Sequence, residues 1–152
     1  MGKIPALGEA EAYVFSHQIG HLLRRAYQRH LAIFQQNASD PRLTSVQFAT
    51  LCAIRDDGPC SQTDLVRITA IDQATIRGIL ARLKARNLIT MSPTSNDHRK
   101  VIASLSPAGR ATLDAMIPSA RRITELTLAG FNPAERVAIH YVLEKIISRT
   151  DP

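Results

Sequence analysis

The sequence predicts a mainly α chain of the α+β class, with six helices and one β-hairpin. Three observations predict it. Apolar residues recur at i, i+3, i+4 and i+7 through residues 9–37. Helix-capping signals open later segments at Thr44-x-x-Gln47, Ser61-x-x-Asp64 and Asn132-x-x-Glu135. One stretch, residues 88–105, loses the helical period and reads as two short β-prone runs around a polar tip.

The elements follow in order. Residues 9–37 predict one long helix whose stripe is Phe15, Ile19, Leu22, Leu23, Ala26, His30, Ile33 and Phe34; Asn37-Ala-Ser-Asp-Pro41 ends it. Residues 44–56 predict a helix apolar nearly all round, hence largely buried, stopped by Asp57-Gly58-Pro59. A short helix runs from Ser61 to about Ile68, and Thr69-Ala70-Ile71 is a tight turn. Asp72 caps the next helix, which ends near Arg86 and turns Ile76, Ile79, Leu80 and Leu83 inward. Leu88–Ser92 and Lys100–Leu105 form the hairpin, with a tip too long for a two-residue turn. Ser106-Pro107 opens a long helix to about Ala129-Gly130, with Pro at its first position and a kink or register change expected at Pro118. Asn132 caps a last helix to about Ser148.

A chain of 152 residues with 45% hydrophobic and 21% charged residues is one ordinary globular domain, which excludes wholesale disorder. No run approaches the roughly 18 apolar residues of a membrane span. The start, MGKIPALGEAEAYVF, lacks a secretory pattern, and Cys52 and Cys60 are too sparse for a disulfide scaffold, so a cytoplasmic location is expected.

Net charge is +6, and the surplus is concentrated: residues 55–110 carry nine bases and five acids. A localised basic segment is the footprint of a polyanion partner, usually nucleic acid. None of the seven Phe and Tyr residues lies in that segment. Readers of single strands stack bases on aromatic rings, so this segment is suited to a duplex instead.

Two short capped helices, a three-residue turn and a hairpin with a basic tip make a winged helix-turn-helix. The second helix would enter the major groove with its first turns against base edges. Gln73 suits adenine and Arg77 suits guanine, Ala74 and Gly78 keep the groove-facing side slim, and Thr75 and Arg82 share the exposed side. Ser61, Gln62 and Thr63 stand at a helix N-terminus suited to a phosphate. In the wing, Asp97 would orient Arg99 into the minor groove, with His98 and Lys100 on phosphates.

The stretch from Leu43 to Gly109 resembles the multiple-antibiotic-resistance regulator (MarR) family. The matching pieces are Leu43-Thr44-x-x-Gln47-Phe48, Gly58-Pro59-x-Ser61-Gln62-x-x-Leu65, Ile71-Asp72-x-x-Thr75-Ile76, Asp97-x-Arg99 and Leu105-Ser106-Pro107-Ala108-Gly109. It departs from the family pattern at Arg77-Gly78 and at His98. The resemblance implies a homodimer that represses transcription from pseudo-palindromic operators and is released by a small phenol or aromatic acid. Residues 1–42 and 106–152 would form the dimerisation region around a DNA-binding lobe at 43–105, all one continuous domain. Six of the seven aromatics lie in 1–42 or 111–152, which agrees.

The resemblance also implies an effector between the first helix, the second helix and the long helix after the wing. His17, His21, Arg24 and Arg25 would be its donors, with Phe48 and Cys52 as an apolar floor. The N-terminal segment with this His/Arg set is similar to a subgroup that represses nicotinic-acid degradation, implying a hydroxylated pyridine carboxylate. The same histidines, spaced i, i+4, also fit interface packing, or half a zinc site that nothing obviously completes. No metal and no cofactor is expected. Cys52 reads as a buried, inert thiol. No nucleophile–base set or Gly-rich phosphate loop argues for an enzyme. The competing class is an architectural DNA binder without an effector, which would show little sequence preference.

Overall fold

The computed structural model describes residues 12–94, 96 and 99–149. A short 3-10 turn (Phe15–His17) precedes α1 (Ile19–Asn37); then come α2 (Ser45–Asp57), β1 (Cys60–Ser61), α3 (Gln62–Thr69), α4 (Gln73–Ala85), β2 (Ile89–Pro93), β3 (Val101–Leu105), α5 (Pro107–Thr127) and α6 (Pro133–Ser148). This is a winged helix-turn-helix between long terminal helices, the fold class expected.

The capping signals act as read. Thr44, Ser61 and Asn132 each accept from the backbone N–H three residues on, and Gln47, Asp64 and Glu135 reach back to the cap backbone. Ser106 and Asp72 cap α5 and α4 by accepting from Gly109 N and Thr75 N, without a side chain reaching back. Gly58 ends α2 at φ +80°, a conformation natural to glycine. Ala70 makes the α3–α4 turn at φ +56°. The core collects Leu51 and Ile54 of α2, Leu65 of α3, Ile76, Ile79, Leu80 and Leu83 of α4, and Leu113 and Met116 of α5.

Four features differ from expectation. The first helix begins at Ile19, not near residue 9: Gln18 is extended (φ −74°, ψ 138°), and its amide donates to Val14 O at 2.9 Å. The apolar stripe therefore continues across a backbone break that periodicity does not register. The wing belongs to a three-stranded antiparallel sheet, order β1-β3-β2, because Cys60 and Ser61 pair with Ala103 and Ile102. Two residues are too few to carry an alternation signal. Helix α5 runs unbroken through Pro118, whose missing N–H removes one helical hydrogen bond without ending the element. It closes at Thr127, slightly short of the expected end.

Helix α6 buries none of its residues, and Val137, Tyr141, Val142, Leu143, Ile146 and Ile147 are exposed on it. The N-terminal arm likewise exposes Tyr13, Phe15, Ile19, Leu22 and Tyr27. So much apolar surface at the two ends of one chain marks an association surface.

Candidate nucleic-acid interface and effector cavity

Helix α4 buries one face and presents the other. Ile76, Ile79, Leu80 and Leu83 are inside, while Gln73, Ala74, Thr75, Arg77 and Arg82 are exposed and Gly78 is half-buried. Gln73 and Arg77 are four apart and share the outer face. Asp72 fixes the start of the helix: its carboxylate accepts from Thr75 N at 2.9 Å and from the Thr75 hydroxyl at 2.7 Å. Those bonds hold its carboxyl below the usual carboxylate range.

The N-terminus of α3, the start of α4 and the base of the wing surround one open concavity of about 600 Å³. Gln62, Thr63, Gln73, Arg99 and Lys100 line it. Residues from three separate stretches of sequence thus converge on one surface. Gln62 Nε2 donates to Gln73 Oε1 at 2.9 Å, tying α3 to α4. Arg77 and Arg82 lie further along α4. Ser61 needs one correction: it lines the concavity, but it is only 4% exposed and its hydroxyl serves the cap of α3, accepting from Asp64 N at 3.1 Å. Asp97 and His98 lie outside the described residues.

The expected effector set is not brought together, and this too is a correction. Phe48 and Cys52 line a cavity of about 520 Å³ between α1, α2, α5 and the end of α3, together with His30, Phe34, Ile123 and Thr124, with Asp56 and Asp57 as its acidic lining. His21 and Arg25 line a different, open depression on α1 with Ser16 and Arg29. His17 belongs to the 3-10 turn, so the extended Gln18 separates it from His21. Arg24 is exposed. The reason is axial distance: His21 precedes His30 by nine residues, about 13 Å along a helix.

His30 is the donor that sequence reasoning passed over, since it sits on the apolar stripe. Its Nδ1 lies 2.9 Å from Thr127 Oγ1, and the Thr127 hydroxyl donates to Ile123 O at 2.8 Å. With its hydrogen so directed, Thr127 accepts, and His30 Nδ1 donates. Nε2 is left as the ring atom able to meet a ligand. The rings of Phe34 and Phe48 pack at 5.9 Å beside it. Cys52 is half-buried, not fully enclosed, and burial pushes its thiol pKa up, away from the reactive thiolate. Among the described residues no three His, Cys, Asp or Glu side chains gather as metal ligands.

A MarR family profile matches residues 43–101. The HTH-type transcriptional repressor NicR of Pseudomonas putida is 62% identical over 135 residues, covering 89% of this chain and 85% of that protein. The chain belongs to the MarR family. A solved structure of Bordetella bronchiseptica BpsR superposes with a TM-score of 0.86 at 56% identity, covering 92% of this chain and all of that one. That work concerns regulation of BpsR DNA binding by 6-hydroxynicotinic acid. Escherichia coli MarR bound to operator DNA has the same fold, with a TM-score of 0.80 at 22% identity. A MarR family chain this similar to NicR is a DNA-binding transcriptional repressor, and no described helix is long and apolar enough to cross a membrane.

Proposed function

We propose that this repressor works in the cytoplasm as a homodimer released by a hydroxylated pyridine carboxylate, with 6-hydroxynicotinic acid as the compound to test first. Residues 1–42 and 106–152 form the dimerisation region, and 43–105 form the DNA-binding lobe. Gln73, Ala74, Thr75, Arg77 and Gly78 face bases in the major groove. Thr63, Arg82 and Lys100 face the backbone, and Arg99 enters the minor groove. One observation carries the DNA reading: Gln62, Thr63, Gln73, Arg99 and Lys100 surround a single concavity. The exposed apolar faces of the N-terminal arm and α6 support the dimer.

The effector occupies the cavity between α1, α2, α5 and the end of α3. His30 Nε2 meets the polar edge of the ring, and Phe34 and Phe48 pack on its face. The His21–Arg25 depression is a second, weaker place for the carboxylate.

The test is a mobility-shift titration against the protein's own upstream DNA, with a scrambled competitor and a panel of aromatic carboxylates. A shift that survives competitor and is lost with 6-hydroxynicotinic acid is expected. Binding that scrambled DNA abolishes, with no compound acting, would mean an architectural binder instead.

A further inference from the structure

The side-chain bond between Gln62 and Gln73 carries more than a tie between two helices. A glutamine amide that reads adenine must present a donor and an acceptor in fixed order, because adenine offers its N6 donor beside its N7 acceptor in the major groove. A free exposed glutamine rotates about three side-chain bonds and its terminal amide turns over readily. Gln62 Nε2 donates to Gln73 Oε1 at 2.9 Å and lies 3.5 Å from the Gln73 main-chain carbonyl. The main-chain carbonyl can only accept, so Gln62 presents its Nε2 to α4, and the Gln73 atom that meets it is the amide oxygen. Oε1 keeps a second lone pair, and no described residue is bonded to Gln73 Nε2. One donor and one acceptor therefore remain, held in order, on an exposed side chain at the first turn of α4. Gln62 is half-buried, against the exposed Gln73, so the anchor is the better held of the two.

We infer that Gln62 is a positioning residue for base recognition, orienting the Gln73 amide so that the pair reads adenine as one unit. This rests on the placing of α4 against base edges under Proposed function. Pre-ordering lowers the entropy lost when the base pair is read. It acts on discrimination at one position of each half-site and leaves non-specific affinity alone.

The experiment selects the preferred duplex from a randomised library with wild-type protein. Dissociation constants are then measured for that duplex, its single-base replacements and a scrambled duplex, at one salt concentration. A bidentate glutamine–adenine pair discriminates by about 5- to 150-fold. Gln73→Ala is expected to flatten preference at one symmetric position. Gln62→Ala should reduce the preference there at least threefold, while affinity for scrambled DNA stays within twofold. The Gln62→Ala/Gln73→Ala double variant should match Gln73→Ala, since a positioning residue has nothing left to position. Gln62→Lys, which still donates, should keep the preference; Gln62→Glu, which cannot, should lose it. Additive losses, or a Gln62→Ala defect equal on every duplex, would overturn the inference and return Gln62 to a backbone contact. A Gln73→Ala variant that leaves preference intact would overturn the base-reading assignment itself, and the inference with it.

Discussion

Asp40, in the loop after α1, and Arg86, at the C-terminal end of α4, form an ion pair of 2.6 Å across 46 residues of sequence. Each side chain is 23% exposed. Arg86 Nη1 is buried with no partner among the described residues, so the guanidinium already lacks one bond. Asp40→Asn keeps the shape and removes the charge. Exposed pairs contribute about 0–1 kcal/mol, and breaking fully buried ones costs about 3–5 kcal/mol. Partial exposure and a charge-assisted bond place this pair near 2 kcal/mol, or roughly 4–8 °C in Tm for a chain of this length. Thermal unfolding should be followed by circular dichroism at one fixed protein concentration, because dimerisation links Tm to concentration. Burial alone would raise the Asp40 pKa, but the Arg86 bond and the Arg42 amide outweigh it, and the net shift is downward from 3.8. A lowered folded pKa contributes stability above the unfolded pKa and loses it as pH falls through the folded one. The gap between wild type and Asp40→Asn should therefore be constant above about pH 5 and shrink as pH falls through the folded pKa. A Tm drop under about 1 °C at pH 7, or a gap that persists unchanged at pH 2.5, would refute the reasoning.

Other outcomes follow from the same geometry. A Cβ on Gly109 would lie 1.9 Å from Leu88 O, the carbonyl that accepts from Ser106 N at 3.1 Å, so Gly109→Ala should cost at least about 2 kcal/mol in denaturant unfolding. Arg77→Ala should relax base preference at one position per half-site in a duplex panel. Arg99→Ala should weaken binding to all sequences and lower the salt slope by about one per wing contact. His30→Phe should leave operator affinity within twofold and raise at least tenfold the 6-hydroxynicotinic acid needed for release in a mobility-shift titration.

Most of the fold was legible because its signals are local. A cap and its partner three residues on, a positive-φ glycine after α2 and an apolar face on α4 each act within one turn of chain. The exposed face of α4, proposed to meet DNA, was legible for the same reason: exposed positions on a capped helix follow from its period, and the wing is the next element along. Ser61 was legible only in part because one residue type serves both capping and phosphate binding: it lines the concavity, yet its hydroxyl is taken by the cap. Strand β1 was missed because its pairing with β3 lies some 40 residues away and leaves no mark on two residues.

The cavity proposed for the effector was the least legible part, and the reason is general. Its walls come from four helices, so its donor need not resemble a donor in the sequence. His30 sits where the stripe calls for an apolar side chain, and that position turns it toward α5 and Thr127. The more conspicuous His and Arg residues lie five to thirteen residues upstream, lining a separate depression or exposed. A polar residue embedded in an apolar stripe is the better pointer to a site between helices. Burial gives its hydrogen bonds a lower dielectric and fewer competing waters than any exposed cluster has. By that criterion His30 outranks the whole His17–Arg25 set, and a His30→Phe variant that responds to effector as wild type does would turn the argument back toward the exposed arm.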